Sequence, residues 1–265
     1  MSLARIAILI DGGFFNKRLP ALLEEEDRVS PEKTVEAIRQ LCFNHVMRLT
    51  GAKKEVWKRH VYRIFYYDAT PYEGKAHHPI ENTNIDFAKS DLARERHELF
   101  ERLRKERKVA LRLGKVNKEH DWALSPKLTK RLLKTKSWLA SLPELTDASE
   151  PLVLSADQLA ELKKLQELWG ALNGGAVQLG LKQKGVDMRI GIDITSMTLK
   201  KQVDIIVLVA GDSDFVPAAK LARREGVEFI LDPLWQSVNS DLFEHIDGLQ
   251  SGLKKPNGTG DAAEH

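Results

Sequence analysis

Acidic side chains follow apolar segments at two separate places in the chain. Asp11 comes directly after the run Ile6–Ile10, and Asp212 and Asp214 follow the strongest apolar run, Val203–Ala210. Short continuous apolar runs bounded by turns are typical of buried strands in a parallel sheet. Ligands of such sheets bind beyond the carboxyl ends of the strands. Carboxylates gathered at one edge repel each other unless a cation lies between them, so the spacing predicts a divalent-cation site.

A fourth carboxylate, Asp187, stands where a helix is predicted to begin after Gly185. A helix over 186–201 is our prediction, although alternating apolar residues there also resemble a strand. Asp193 lies six residues beyond Asp187, about 600° of helical rotation, so the two cannot share one face and we favour Asp187. Oxygen donors without a Cys or His cluster favour Mg²⁺ or Mn²⁺ over zinc. Singly, each carboxylate also fits a turn, a helix cap or a solvated position.

Strands and helices are predicted to alternate along most of the chain, which indicates an α/β fold. The pattern is that of a three-layer sandwich, a mostly parallel sheet flanked by helices, with a helical insertion. The predicted strands are 6–10, 61–67 (ending at Asp68), 109–113, 203–210 and 227–231, and the predicted helices are 31–50, 86–108, 155–172, 186–201 and 217–225.

The composition favours one core with an addition. The chain has 265 residues, of which 42% are apolar. We predict a single domain over 1–250, with 115–181 as an insertion or helical subdomain and 251–265 as a disordered tail. Residues 72–84 are predicted to be a polar loop in which His77 and His78 are not ligands.

Cysteine content and hydropathy exclude several classes of protein. Cys42 is the only cysteine, which excludes an intramolecular disulfide framework and a cysteine-rich zinc site; its apolar neighbours predict a buried, inert thiol. No apolar run approaches the roughly 18 residues of a membrane span, and the first residues lead into a strand without a signal-peptide layout. The expectation is a cytoplasmic protein with no membrane partner.

Three segments of the sequence carry a family resemblance: Ile8–Phe15, Gln183–Asp187 and Val207–Pro217. Together they resemble the NYN domain of the PIN-like nuclease superfamily, and they are most similar to its bacterial LabA-like branch. The third segment is the most specific, and the order and spacing of all three agree with the family. The resemblance covers roughly 3–114 and 182–235.

The resemblance implies a metal-dependent ribonuclease in which an acidic cluster holds Mg²⁺ or Mn²⁺ and activates water. It also implies that Asn16 orients a water or a phosphate, a role that we extend to Ser213. The long insertion departs from a minimal family member, which puts the identity of the substrate in doubt. The catalytic and metal-binding positions carried over are Asp11, Asp187, Asp212 and Asp214, with Asp193 as a candidate fifth.

Local charge favours a polyanionic partner although the net charge is only +3. Residues 94–136 contain fifteen Lys and Arg against six Asp and Glu, whereas 137–181 contain two against six. The alternative is a solvated helix face with its own ion pairs. Trp122 fits base stacking or a core position. The candidate nucleic-acid contacts are Arg104, Lys105, Arg107, Lys108, Arg112, Lys115 and Lys118.

Three functions remain in competition. The first is an endoribonuclease that hydrolyses RNA phosphodiester bonds with Mg²⁺ or Mn²⁺. The second is a catalytically silent RNA-binding or regulatory protein with the same fold. A phosphatase of the haloacid-dehalogenase kind is disfavoured, because its first motif needs an aspartate where Gly13 stands. A homo-oligomer or a protein partner bound through 115–181 is left open.

Overall fold

The computed structural model describes residues 3–23, 29–140 and 153–255. The chain divides into two compact units, the first formed by 1–72, 88–116 and 183–265 and the second by 73–87 and 117–182. The second unit overlaps the predicted insertion at 115–181 and also includes a segment from 73 to 87. All four aspartates of the predicted site belong to the first unit.

A seven-stranded sheet forms the centre of the fold, in the order β6-β5-β2-β1-β7-β8-β9. Parallel pairing joins β1 to β2 and β7, β2 to β5, β7 to β8, and β8 to β9. The predicted mostly parallel sheet with flanking helices is therefore confirmed. The strands of this sheet are β1 (Ile6–Asp11), β2 (Val61–Thr70), β5 (Val109–Leu124), β6 (Val177–Lys184), β7 (Ile205–Val209), β8 (Glu228–Asp232) and β9 (Gly248–Leu249), and a separate hairpin consists of β3 (Lys75–His78) and β4 (Thr83–Asp86).

Helices cover both faces of the sheet, because successive side chains of β1 point to opposite sides. Ile6, Ile8 and Ile10 belong to the hydrophobic core that includes α1, α2 and α3. Ala7 and Leu9 belong to a second core with α7 and α8. The helices of the first unit are α1 (Gly12–Leu22), α2 (Pro31–Thr50), α3 (Asp91–Lys105), α7 (Val186–Leu199), α8 (Val216–Arg224) and α9 (Ser240–Phe243).

The segment after Gly185 is a helix, as predicted, and its burial pattern explains why it also resembled a strand. Val186, Ile190 and Ile194 are buried at four-residue spacing, as one face of a helix requires. Met188 and Ile192 are 71% and 57% exposed, so the apparent alternation combines buried and exposed apolar positions.

Three sequence predictions of local structure were wrong. The expected polar loop at 72–84 contains the hairpin β3–β4, in which residues 75–78 pair with 83–86. The strand expected over 109–113 continues to Leu124, and the helix expected from Asp86 begins at Asp91. The hairpin strands and the part of β5 beyond residue 113 are polar and mostly exposed, so they lack the apolar pattern that predicts a strand. Pairing with a neighbouring strand holds them extended.

The second unit contains the outer part of β5, most of β6, the hairpin and three helices. Ser155 caps the predicted helix by accepting from Gln158 N–H, and the Gln158 side chain accepts from Ser155 N–H. The rings of Trp122 and His78 are in contact, with centroids 4.5 Å apart and planes tilted by 60°, so the Trp122 ring has a partner within the protein. The helices are α4 (Pro126–Leu133), α5 (Lys136–Ala140) and α6 (Ala156–Gly170).

The predicted start of the disordered tail, residue 251, is too early in the sequence, because residues 251–253 are hydrogen-bonded to elements of the first unit. Gly252 N–H donates to Asp232 Oδ2 at 2.8 Å, and Asn44 Nδ2 donates to Gly252 O at 2.7 Å. Glycine-rich composition suggested disorder, but these hydrogen bonds form only with elements distant in sequence. The remainder of the predicted tail, 256–265, lies outside the described residues.

Cys42 is fully buried, and burial raises the pKa of its thiol, in agreement with an inert cysteine. Across the described ranges, no helix is both long enough and apolar enough to cross a lipid bilayer.

Candidate active site

Asp11 is the last residue of β1 and the N-cap of α1. Its Oδ1 accepts from Phe14 N–H at 3.1 Å, which fixes the carboxylate at the turn from strand to helix. Gly12 follows because a Cβ there would lie 2.6 Å from Tyr67 O. Burial raises the pKa of Asp11 to about 6; backbone hydrogen bonds oppose this rise, and the charges of Asp187 and Asp68 add to it.

Asp187 stands in the first turn of α7, two residues after Gly185. Gly185 has φ +77°, a left-handed conformation that favours glycine, and it links β6 to the helix. The pKa of Asp187 is raised by burial and then by the charges of Asp212 and Asp214. The two raised pKa values show that carboxylates from three distant segments of the chain lie close enough to repel each other.

Asp212 and Asp214 lie in the short 3-10 turn between β7 and α8. Asp212 Oδ1 accepts from Asp214 N–H at 3.0 Å, and Phe215 anchors the turn with only 2% of its surface exposed. Both aspartates are exposed, and Ser213 between them is half-buried. The turn therefore presents two carboxylates at the carboxyl end of β7, beside β1.

The donor set of this edge fits a hard divalent cation, because it consists of carboxylate oxygens whose mutual repulsion a cation relieves. Within 3–23, 29–140 and 153–255, no group of three or more His, Cys, Asp or Glu side chains is placed to hold one metal ion. Mg²⁺ is usually bound by one or two carboxylates together with water and substrate phosphates. One or two of these aspartates would therefore be enough to hold such a cation.

Asp68 is a functional candidate that our sequence analysis did not assign. It lies near the carboxyl end of β2 with 4% exposure, and its charge contributes to the raised pKa of Asp11. Arg96 on α3 donates to Asp68 Oδ2 at 2.6 Å. Burial raises the pKa of Asp68, and the Arg96 charge opposes that rise. The signal was present in the sequence, since Asp68 ends a strand pattern just as Asp11 does.

Asn16 lies between these two carboxylates on the first helix. Its Nδ2 donates to Tyr66 Oη at 2.6 Å and to Gly12 O at 2.5 Å, and it lies 3.5 Å from Asp68 Oδ2. The orientation of the Asn16 side-chain amide is thus fixed by hydrogen bonds from its NH2 group. Among the described residues none donates to its Oδ1, and the expected role of Asn16 in orienting a water or a phosphate stays a prediction.

Asp193, the candidate fifth ligand, is held by different partners. Its Oδ2 accepts from Tyr67 Oη at 2.9 Å and from Arg112 Nε at 2.8 Å. The Arg112 guanidinium also lies 5.2 Å from the centre of the Phe65 ring. Asp193 therefore joins α7 to β2 and β5, whereas Asp187 on the same helix is coupled to the acidic edge.

The structure does not gather the predicted basic contacts on one surface. Lys108 Nζ donates to Val61 O at the first residue of β2, which is the amino-terminal edge of the sheet and opposite the carboxylates. Arg104, Lys105 and Arg107 lie at the end of α3 or just after it, before β5 begins, and Arg104 pairs with Glu101.

Lys115 differs from these residues in its position. It is exposed and stands in register with Thr70 at the carboxyl end of β2, so it shares an edge with the carboxylates. Arg112 is committed to Asp193, and Lys118, in the second unit, pairs with Asp121. Two of the basic residues predicted in the first unit therefore lie toward the acidic edge. Arg112 stands in register with Tyr67, which pairs with Asp11, but it is held by Asp193; Lys115 lies three residues further along β5.

Residues 153–247 match the sequence model of the NYN domain. The matched segment contains Asp187, Asp212 and Asp214, begins within the predicted insertion and does not extend to Asp11. A search of curated proteins gave no significant match. A crystal structure of a protein of unknown function from Vibrio parahaemolyticus is 13% identical, with a TM-score of 0.38 over 93% of this chain and 91% of that one. No functional argument follows from that likeness.

Proposed function

We propose that this protein is a metal-dependent ribonuclease that hydrolyses RNA phosphodiester bonds. The observation that carries the proposal is the placement of four aspartates at the carboxyl edge of a parallel sheet: Asp11 at the end of β1, Asp212 and Asp214 after the neighbouring β7, and Asp187 in the first turn of α7, with the pKa of Asp11 and Asp187 raised by burial and by nearby carboxylates. The NYN match over 153–247 suggests the PIN-like nuclease superfamily, and similarity of the motifs to the LabA-like branch supports the same class. RNA is the proposed partner and Mg²⁺ or Mn²⁺ the proposed cofactor.

The four aspartates would hold the cation in pairs, completed by water and by phosphate oxygens of the RNA. A bound Mg²⁺ or Mn²⁺ supplies Lewis-acid polarisation of the phosphoryl group and lowers the pKa of water. The Phe14 N–H fixes the carboxylate of Asp11, and the helical turn after Gly185 fixes Asp187. Arg96 balances the charge of Asp68, so this buried acid adds less repulsion toward an incoming phosphate.

Cleavage of structured and single-stranded RNA by the purified protein, with Mn²⁺ and with EDTA, tests the proposal. We expect cleavage only with the cation and its loss, by at least about 100-fold, in Asp212→Asn, which keeps the acceptor for Asp214 N–H. Asp241→Asn is the matched control, because Asp241 is an exposed aspartate in the first turn of α9. This variant should cleave RNA like the wild type. Undiminished cleavage by Asp212→Asn would contradict the assignment.

A circular single-stranded RNA distinguishes endonucleolytic from exonucleolytic action. We propose that the protein is an endoribonuclease, so the circle should be opened at a rate similar to that of a linear RNA of the same sequence. If only the linear RNA is degraded, the enzyme acts from chain ends.

A catalytically silent RNA-binding protein is the second candidate. It is favoured by one observation, that no three acidic or histidine side chains in the described ranges are placed around a single metal position. The same experiment separates the two candidates. RNA binding without cleavage at any Mn²⁺ or Mg²⁺ concentration supports the silent protein.

A further inference from the structure

Trp235 is an exposed aromatic residue beyond the carboxyl end of β8. Its exposed fraction is 44%. Val209, the last residue of β7, pairs with Asp232, the last residue of β8. Trp235 therefore lies three residues beyond the end of β8, as Asp212 does beyond the end of β7. In the strand order β1-β7-β8, β8 lies two places from β1, a lateral distance of about 10 Å. Trp235 therefore belongs to the same edge as the carboxylates.

A direct contact connects the segment of Trp235 to the helix capped by Asp11. Arg18 on α1 donates from its Nη2 to Leu234 O at 3.1 Å. Helix α1, which Asp11 caps, thus also fixes Leu234, the residue before Trp235. The position of this tryptophan is tied to the acidic site by a single short helix.

The backbone at this point adopts a conformation that residues other than glycine rarely take. Leu234 has φ +49° and Trp235 has φ +65°, both in the left-handed region. Such residues cost free energy and persist only where surrounding contacts hold them, most often at binding and catalytic sites. The fully buried Leu234 side chain and the Leu234 N–H bond to Asp232 Oδ1, at 2.8 Å, hold this one.

The indole of Trp235 is also fixed at one edge. Its Nε1 donates to Leu253 O at 2.9 Å, and its backbone N–H donates to Ser251 Oγ at 3.2 Å. Because these bonds already restrict the side chain, little conformational entropy remains to be lost when a ligand stacks on it. A large ring held still and left nearly half exposed is suited to planar ligands.

We propose that Trp235 is a stacking platform for an unpaired nucleobase of RNA bound at the acidic edge, an inference that rests on the proposed function. Stacking of a base on an aromatic side chain tolerates any base and contributes strongly to the binding of single strands. A base on Trp235 would hold a nucleotide near the one whose phosphate meets the carboxylates. The site therefore favours single-stranded over duplex RNA.

A purely structural role for Trp235, as an anchor for 251–253, is the competing explanation. Trp235→Phe and Trp235→Leu both remove the Nε1 bond to Leu253, but only phenylalanine keeps an aromatic face. A difference between these variants in RNA binding reports stacking, whereas an equal effect reports the lost anchor. Trp169→Leu is the matched control, since Trp169 is 54% exposed on α6 in the second unit.

Binding is measured with a labelled single-stranded 12-nucleotide RNA and with the same RNA carrying abasic nucleotides. The proteins carry Asp212→Asn, so that bound RNA is not cut. We expect Trp235→Leu to bind about 5- to 100-fold more weakly and Trp235→Phe and Trp169→Leu within about threefold of the parent. On abasic RNA the difference between phenylalanine and leucine should vanish.

Quenching of tryptophan fluorescence by unlabelled RNA gives a second readout that does not depend on the leucine variant folding. RNA should quench the emission of the Asp212→Asn protein, and part of this quenching should be lost in Trp235→Phe. Equal affinities of the phenylalanine and leucine variants, or unchanged quenching, would overturn the stacking site alone. Absence of any RNA binding by the Asp212→Asn parent and the wild type would overturn the proposed function as well.

Discussion

Neighbouring charges and burial give the four aspartates of the edge different properties. Asp11 is largely buried and its pKa is raised to about 6, whereas Asp212 and Asp214 are exposed. Asp68, close to Asp11, is compensated by Arg96, but Asp11 has no cationic partner among the described residues. The ionised form of Asp11 is therefore a source of instability in the protein without a cation.

Replacing Asp11 with asparagine should stabilise the protein at neutral pH. A carboxyl group whose folded-state pKa is raised favours its protonated form, so the folded state loses stability as pH rises from about 4 to about 6. Asparagine remains neutral and keeps the acceptor for Phe14 N–H. We expect the free energy of unfolding, measured by urea denaturation in EDTA, to rise by about 2 kcal/mol at pH 7.5.

Urea denaturation at pH 4 is the control for this prediction. Asp11 is protonated there in the folded state, and the variant and the wild type should have nearly equal stability. A loss of stability in Asp11→Asn at both pH values would show that the carboxylate is not under electrostatic stress.

At the scale of elements, α7 carries two aspartates with separate roles. Asp187, in its first turn, is coupled to Asp212 and Asp214. Asp193, almost two turns later, accepts from Tyr67 and Arg112 and so holds the helix on the sheet. Helical geometry separates the two side chains, since six residues place them on different faces.

Alanine at these two positions should have opposite effects. Asp193→Ala leaves the buried Tyr67 hydroxyl without its partner, so we expect the free energy of unfolding to fall by about 1–3 kcal/mol, with RNA cleavage retained at permissive temperature. Asp187→Ala should abolish cleavage with little loss of stability, because it relieves repulsion. Thermal denaturation and cleavage rates measured on the same preparations check both. Loss of cleavage in folded Asp193→Ala would return this residue to the catalytic set.

At the scale of the whole molecule, the sheet separates basic residues that are neighbours in the sequence. Lys105 precedes β5 and lies at the amino-terminal edge, whereas Lys115, ten residues later, lies at the carboxyl edge. The strand between them spans the sheet, and only one of its ends meets the carboxylates. Proximity in sequence is therefore a poor guide to which lysine lies near the carboxylates.

Lys115→Ala should weaken RNA binding, and Lys105→Ala should not. Each phosphate contact to single-stranded RNA contributes about −0.7 to the slope of log K against log salt concentration, so losing one contact should make the slope less steep by about 0.7. Fluorescence anisotropy between 50 and 200 mM salt, values chosen for the test, would measure it. An equal effect of both substitutions would mean that RNA also lies along the amino-terminal edge.

A buried contact between a histidine and an aspartate connects three parts of the first unit. His45 Nε2 and Asp232 Oδ2 lie 2.8 Å apart with both side chains fully buried, and Gly252 N–H donates to the same oxygen. A Cβ on Gly252 would lie 2.8 Å from the His45 ring. These contacts connect α2, β8 and residues 251–253.

Removing one member of this pair should be costly for the whole domain. We expect His45→Ala to lower the free energy of unfolding by about 3 kcal/mol, because it leaves Asp232 buried without that partner. Gly252→Ala should also destabilise, and the two losses should not add, since both disturb one contact. Urea denaturation of the single and double variants checks this. Simple additivity would show that the two positions act independently.

Local patterns explain which parts of this protein could be predicted. The apolar runs of β1 and β7 and the capped helix α2 are each specified by neighbouring residues, so they were found. The hairpin β3–β4 and the outer part of β5 were missed, because these strands are polar and exposed and are held extended by pairing with another strand, not marked by an apolar pattern of their own.

That aspartates end the buried strands and begin α7 could be predicted from local residues, because a strand or helix end is marked by its own sequence. Which of these aspartates interact depends on the fold: Asp11 is coupled to Asp68 and Asp187, Asp193 accepts a hydrogen bond from Tyr67, and Trp235 lies at the same edge. The reason is that electrostatic coupling and hydrogen bonding depend on distances across strands, which strand order and register set.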